Sequence, residues 1–381
     1  MLKLSENTAT TGYTGCGIDI IMSIVFYPIH LILTRRNNQY FSIYLILFVI
    51  TPAFTEFRLP DEIHGLAFSA IENIYNNDLK KAEEEAKEII KKFPESPAGY
   101  FFYAVILDFW MIHYQSNEKE NEFYRYCDLA IEKSEKILQK NPSDEWAIFF
   151  MGGADGYKGT YEARYERWIT AFRYGWKGVS VLLELQEKDT KITDIYYGIG
   201  SYNYWRSAMM KTLWFMPSIN DKRQEGIRML YEAQKKGVYT KITASVALID
   251  ILISEKQYAQ ALQISQQRLS EYPDALIFKW GQARSLFGQN RFDKALEVYK
   301  TILNKVESDP QNNHYNAAIC HLEMAKIYQK LADHEKAILE CNRMKYYNFD
   351  SDVEKRLDKY FNEAKSIARD AMQAQIKQKK E

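Results

Sequence analysis

Beyond residue 60 the chain alternates blocks of about ten to twenty residues, in which apolar side chains recur every three or four positions, with short polar breaks. That spacing puts one oily stripe on each of a succession of helices and leaves the opposite face to water. Leu66, Ala67, Ala70, Ile71 and Ile74 form the first stripe, over 63–75, with Asp61 placed to cap its start. Asn76-Asn77-Asp78 turns the chain, and Ala82, Ala86, Ile89 and Ile90 mark a second helix over 79–92, stopped by Pro94. The same reading pairs 98–114 with 120–139, 242–253 with 258–272, 276–287 with 292–306, and 318–331 with 335–346, with Gly288 as a helix stop. A last periodic stretch, 352–375, carries Val353, Leu357, Phe361, Ala364, Ile367 and Ala371 and reads as a helix closing the array.

Between 144 and 217 the pattern loosens. A helix start at 146–150 runs into Gly152, Gly153, Gly156 and Gly159. A phosphate-binding loop would need a Gly-Lys-Ser/Thr ending and a preceding strand; here Lys158 precedes Gly159 and no strand leads in. The glycines instead predict close approach of helix backbones, as do Gly198 and Gly200 further on. Tyr161, Tyr165, Trp168, Phe172 and Trp176 recur at helical spacing and predict one face of a single long amphipathic helix.

The helical pairs repeat. Ala261 ends Gln257-Tyr258-Ala259-Gln260-Ala261 and Ala295 ends Arg291-Phe292-Asp293-Lys294-Ala295, 34 residues later. Asp333-His334-Glu335-Lys336-Ala337 and Asp78-Leu79-Lys80-Lys81-Ala82 write the same turn, and prolines 94, 142 and 273 each fall twelve residues after Ala82, Ala130 and Ala261. With this period and these small residues the chain resembles the tetratricopeptide repeat family, and 195–214 with Asp221 to Gly226 and Ala233 after it looks like the divergent form found in exported bacterial proteins. The stretch around Gly198 to Ala233 is also weakly similar to the eukaryotic tetratricopeptide family associated with the mitochondrial outer membrane. The resemblance implies an all-α fold, a right-handed superhelix of about six to seven helical hairpins with a C-terminal capping helix. It divides the chain into divergent repeats over 60–240, regular repeats plus the capping helix over 241–375, and a polar tail at 376–381. Ile249 and Arg268 stand where the family places small residues, which predicts a slightly splayed hairpin.

Residues 1–53 differ in kind. Apolar stretches at 18–34 and 40–53 flank Arg35-Arg36, and the second ends in Thr51-Pro52-Ala53, the order of a secretory signal cleaved to leave a chain beginning near Phe54. The first stretch then marks an over-extended start of translation; the alternative is a membrane anchor of two segments. Either way the expected location is the periplasm or envelope, and Cys16 does not read as a lipidated cysteine. Fifty basic and fifty acidic side chains cancel, which speaks against a protein built to coat nucleic acid. Aromatic residues at 14% match a codon bias towards Tyr, Phe, Ile, Asn and Lys.

Nothing announces a reaction. No Ser, Cys or His lies in a nucleophile turn. His314 and His321 are seven apart, too far along one helix for a zinc pair, so no metal and no cofactor is expected. Cys320 and Cys341 fall on the two helices of one hairpin and read as buried apolar residues, a disulfide being the other reading. The resemblance implies that the first helix of each hairpin lines a partner groove. Carried onto this sequence, the groove positions are Val246, Asp250, Trp280, Arg284, Phe287, Leu322, Lys326, Gln329 and Lys330. The expectation is therefore a non-catalytic scaffold for a protein or peptide. The alternatives are a glycan or small-ligand site in the aromatic stretch 146–214 and, below it, an enzyme using the glycine-rich segment as a loop.

Overall fold

The computed structural model of the chain describes residues 22–31, 43–52, 57–210 and 220–378. Its contacts fall into two compact units, Met1–Phe57 and Arg58–Glu381. In the first unit β1 (Met22–Leu31) and β2 (Ile43–Pro52) pair antiparallel, with Met22 opposite Pro52 and Leu31 opposite Ile43. Both apolar stretches of the leader thus contain strands. Ile, Val, Phe and Tyr, the residue types that fit a pleated backbone, make up much of both. In a ribbon of two strands each strand has an unpaired edge, which leaves room for Pro28 opposite Ile46. Arg35-Arg36, Ala53 and Cys16 lie outside the described residues.

The second unit is helical throughout its described residues. Helices α1 (Asp61–Tyr75) and α2 (Leu79–Lys92), α3 (Pro97–Tyr114) and α4 (Glu120–Leu138), α5 (Glu145–Arg164) and α6 (Trp168–Glu187), and α7 (Ile195–Met210) and α8 (Arg223–Lys236) form four hairpins. Helices α9 (Lys241–Ser254) and α10 (Tyr258–Glu271), α11 (Leu276–Gly288) and α12 (Phe292–Glu307), and α13 (Tyr315–Lys330) and α14 (His334–Arg343) form three more, and α15 (Ser351–Gln378) closes the array against α13 and α14. Each helix packs on its neighbours in the chain, and first helices of successive hairpins touch at α1–α3, α3–α5 and α9–α11. This is the solenoid of hairpins that the repeat pattern predicts.

Five hairpin turns share one device. Asn77, Glu166, Lys256, Asn290 and Ala332 have left-handed backbone, with φ of 56–60°. Each stands five residues before a buried alanine: Ala82, Ala171, Ala261, Ala295 or Ala337. The left-handed residue reverses the chain, and the small side chain lets the returning helix come close. Glu166 also corrects the sequence reading of 161–176 as one helix. Tyr161 belongs to the end of α5 and Trp168 begins α6, because the chain turns at 165–167. Two other sequence assignments change in detail. Asp61 is the first residue of α1, not its cap, and pairs with Arg58 at 3.0 Å. Gly288 does not stop α11 through left-handed backbone; a Cβ there would lie 2.4 Å from the Tyr258 ring.

The glycine-rich stretch is helix, and its glycines do bring backbones together. A Cβ on Gly178 of α6 would meet the Gly152 carbonyl oxygen of α5 at 2.5 Å, and one on Gly159 would meet the Gly175 nitrogen at 2.9 Å. Gly200 and Gly226 repeat the arrangement between α7 and α8. Ile249 and Arg268 are both accommodated in the packing. Gly281 leaves room for the Ile249 side chain, and buried Arg268 donates from Nε to Ser245 Oγ at 2.8 Å and pairs with Glu271.

A seam joins the first two hairpins to the fifth, sixth and seventh through side chains. Tyr75 Oη bonds Thr243 Oγ1 at 2.9 Å and its ring stacks on Phe278. Tyr272 Oη donates to Glu72 at 2.7 Å, and Tyr239 Oη accepts from the Leu59 N–H and meets His64 Nδ1 at 2.9 Å. Further along, the Asn313 and Asn316 side-chain amides donate to the carbonyls of Tyr114 (2.7 Å) and His113 (2.8 Å), and Arg356 donates to that of Gln115.

Candidate partner-binding surface

The expected groove residues sit on α9, α11 and α13 as the hairpin order requires. Asp250 of α9 and Arg284 of α11 are one repeat apart and form an ion pair of 2.7 Å, with side chains 48% and 43% exposed. Such a pair at high dielectric is worth roughly 0.2–1 kcal/mol, so a partner's charge can replace either member. One turn from Arg284 on either side, Trp280 and Phe287 are half-buried. Trp280 meets the Tyr299 ring edge-on at 5.8 Å, and Phe287 meets Phe292 at the same distance. Lys326 is held by Glu323 (2.8 Å) and by Glu363 of α15 (3.1 Å), while Gln329 is half-buried and Lys330 exposed. Val246 is half-buried; Leu322 is fully buried and belongs to the core.

The arrangement offers paired charges beside aromatic edges along successive helices. Cys127, Cys320 and Cys341 are free thiols in the interior, and burial pushes each thiol pKa up, that of Cys341 to about 11. His321 is locked between Glu340 Oε2 (2.6 Å at Nδ1) and Tyr347 Oη (2.9 Å at Nε2), and His314 stacks on the Tyr347 ring. No group of three His, Cys, Asp or Glu side chains stands ready to hold a metal among the described residues. Likewise, no described helix is long and apolar enough to cross a membrane.

A polar cleft of about 350 Å³ opens at the seam, lined among others by Asn76, His113, Asp274, Lys305, Asp309 and Asn312. Several of its asparagines are already spent on the carbonyls they clasp, Asn77 on Asp274 among them. Burial pulls the His113 imidazole pKa below its ordinary value, against the opposing charge of Asp309.

Residues 252–318 match the model of the tetratricopeptide repeat family. That segment carries tetratricopeptide repeats. The matched segment runs from the end of α9 into α13 and contains the Arg284 side of the ion pair. No curated protein is a significant match to the chain. Among solved structures it is similar to a tetratricopeptide repeat protein from Parabacteroides merdae, at 14% identity, covering 82% of this chain and 100% of that one, with a TM-score of 0.36. It is also similar to aspartyl phosphate phosphatase F from Bacillus subtilis, at 14% identity, covering 83% of each chain, with a TM-score of 0.40.

Within the helical array, sequence spacing does not show the seam. Its bonded pairs are 168 to 241 residues apart, and no periodicity links them. The aromatic stretch 146–214 divides into buried and exposed rings. Trp146 packs on Phe150 and Tyr239, and Tyr161 and Tyr204 are fully buried, whereas Trp176 and Trp205 are exposed. Trp214 lies outside the described residues.

Proposed function

We propose that this chain is an exported, non-catalytic tetratricopeptide scaffold that holds an extended segment of a partner protein in the bacterial envelope. Stacked hairpins present extended surfaces that suit protein partners. The observation that carries the reading is the half-exposed Asp250–Arg284 pair, which bridges the first helices of two consecutive repeats beside the edges of Trp280 and Phe287. Arg and Trp next to one another supply the anchoring chemistry typical of protein contacts. A partner carboxylate takes Arg284, a basic group takes Asp250, and Lys326, Gln329 and Lys330 extend the track along α13. The Arg35-Arg36 patch followed by the apolar stretch 40–53 supports export, and the same segment supplies the alternative of attachment to the membrane.

Peptide arrays test the surface. Saturable binding by the intact protein should fall at least tenfold in Arg284→Glu, which sets two carboxylates against each other, and should survive in Lys188→Glu, an exchange on the last turn of a distant hairpin. Equal binding by Arg284→Glu and the unaltered chain would remove these residues from the surface. N-terminal sequencing of the protein from cells tests export: a mature chain starting near Phe54 supports it, and an intact start overturns cleavage.

A further inference from the structure

The third and fourth hairpins carry an exposed patch that the scaffold reading does not use. Trp176 on α6 is 53% exposed and Trp205 on α7 is 43% exposed. The half-buried Tyr202 ring joins them, 6.2 Å from Trp176 and one helical turn before Trp205, seated over Gly175, where a Cβ would come within 3.2 Å. Ile169, 79% exposed, precedes Trp176 by two turns of α6, with Arg173 between them on the same face. Arg206 lies over the Tyr202 ring at 5.8 Å and Arg173 over Tyr174 at 5.2 Å, and neither guanidinium has a carboxylate partner among the described residues.

We propose that this face, made of Ile169, Arg173, Trp176, Tyr202, Trp205 and Arg206, seats on an anionic lipid surface. Tryptophan and tyrosine settle at the headgroup level of a bilayer because their rings are apolar and their tips polar. An exposed isoleucine gains by entering the acyl boundary, and unpaired arginines beside it are drawn to anionic headgroups. An acidic peptide would use the same charge. It would favour guanidiniums fixed in a groove by directional partners, whereas here both rest on ring faces, and none of the six residues lines either the seam cleft or the shallow cleft beside Tyr231 and Arg268. The ligand is therefore the fluid surface of a membrane carrying negative lipid, met by an exposed aromatic and basic patch.

The test uses the full chain and vesicles of phosphatidylglycerol with brominated acyl chains, reading quenching of tryptophan emission, with brominated phosphatidylcholine as the neutral comparison. Quenching should appear with the anionic vesicles and reverse as salt is raised. Arg173→Gln with Arg206→Gln should raise the half-saturating lipid concentration about tenfold or more. Trp176→Phe with Trp205→Phe should lose most of the quenching while retaining binding, and unchanged helical circular dichroism will show that both double variants are folded. The proposal is overturned if the tryptophan variant is quenched as strongly as the parent, which would place the contact elsewhere, or if neutral vesicles quench equally. Binding of polyglutamate with the same arginine dependence, in the absence of vesicle binding, would assign the patch to a protein and overturn it as well.

Discussion

Asp194 shows how one side chain can fasten two hairpins. It stands just before α7, is almost fully buried, and accepts hydrogen bonds from the N–H groups of Val238, Tyr239 and Thr240 and from Thr240 Oγ1, at 2.7–3.1 Å. Those amides belong to the turn between α8 and α9, so the carboxylate pins the entry to a helix two elements later in the chain. Burial raises the Asp194 pKa although four donors oppose the shift. Removing the acceptor strands several buried donors, and each costs about 1–3 kcal/mol when left unsatisfied. Asp194→Ala should therefore lower the unfolding free energy by roughly 3 kcal/mol or more in urea titration. Asp194→Asn, which keeps one acceptor oxygen, should lose less. A loss below about 0.5 kcal/mol for the alanine variant would mean that water replaces the carboxylate. Neither residue type nor spacing marked Asp194 in the sequence, because its partners lie 44 to 46 positions away in a loop.

At the scale of the element, the repeats were legible where a small residue and a turn keep their phase. The hairpins over 242–346 follow from Ala261, Ala295 and Ala337 alone, and their observed ends differ from the periodic pattern by only a few residues. The α5–α6 turn is hidden in the sequence, because the aromatic spacing of Tyr161, Tyr165 and Trp168 runs unbroken through it. The signal that would have split it is Ala171, five residues after Glu166, in the same phase as the other four turns. The glycines are legible as contacts because helix interiors disfavour glycine unless backbones meet. They are not equivalent, however. Gly178→Ala would drive its Cβ to 2.5 Å from the Gly152 carbonyl oxygen and should cost about 1–3 kcal/mol as α5 and α6 move apart. Gly156→Ala projects into space with nothing within 4 Å and should be neutral, or stabilise by up to about 1 kcal/mol through helix propensity. Thermal unfolding of the two variants side by side checks the contrast, and equal melting temperatures would refute the close approach. Lys256→Gly, at a turn with φ of 59°, should stabilise by a few tenths to about 1 kcal/mol, since glycine adopts that backbone without strain.

For the whole molecule, the seam decides how open the array is. A solenoid whose hairpins touch only their neighbours would flex along its length. Here Asn313, Asn316 and Arg356 hold the carbonyls at the end of α3, far from them in sequence. Each such bond contributes about 0.5–1.5 kcal/mol, small beside the core but enough together to favour a closed arrangement strongly. The seam is also sensitive to acid. With its pKa lowered by burial, His113 favours folding when neutral; that contribution is complete above the ordinary imidazole value and is lost as pH falls through the lowered one. Asp309 opposes the shift, and Asp274 and Lys305 line the same cleft. Stability should therefore fall between neutral and mildly acid pH by an amount that His113→Gln removes, as urea titrations at several pH values will show. Replacing Asn313, Asn316 and Arg356 together by alanine should enlarge the radius of gyration in solution scattering and speed amide exchange at the C-terminal end of α3 and the N-terminal end of α13, while α5 and α6 exchange as before. Faster exchange in every helix would mean that these residues support the fold as a whole; an unchanged radius with unchanged exchange would mean that the apolar contacts around Tyr75 and Phe278 hold the seam without them. Only the first result makes the clasp a separable latch, and then the reach of a partner along α9, α11 and α13 depends on whether it is shut.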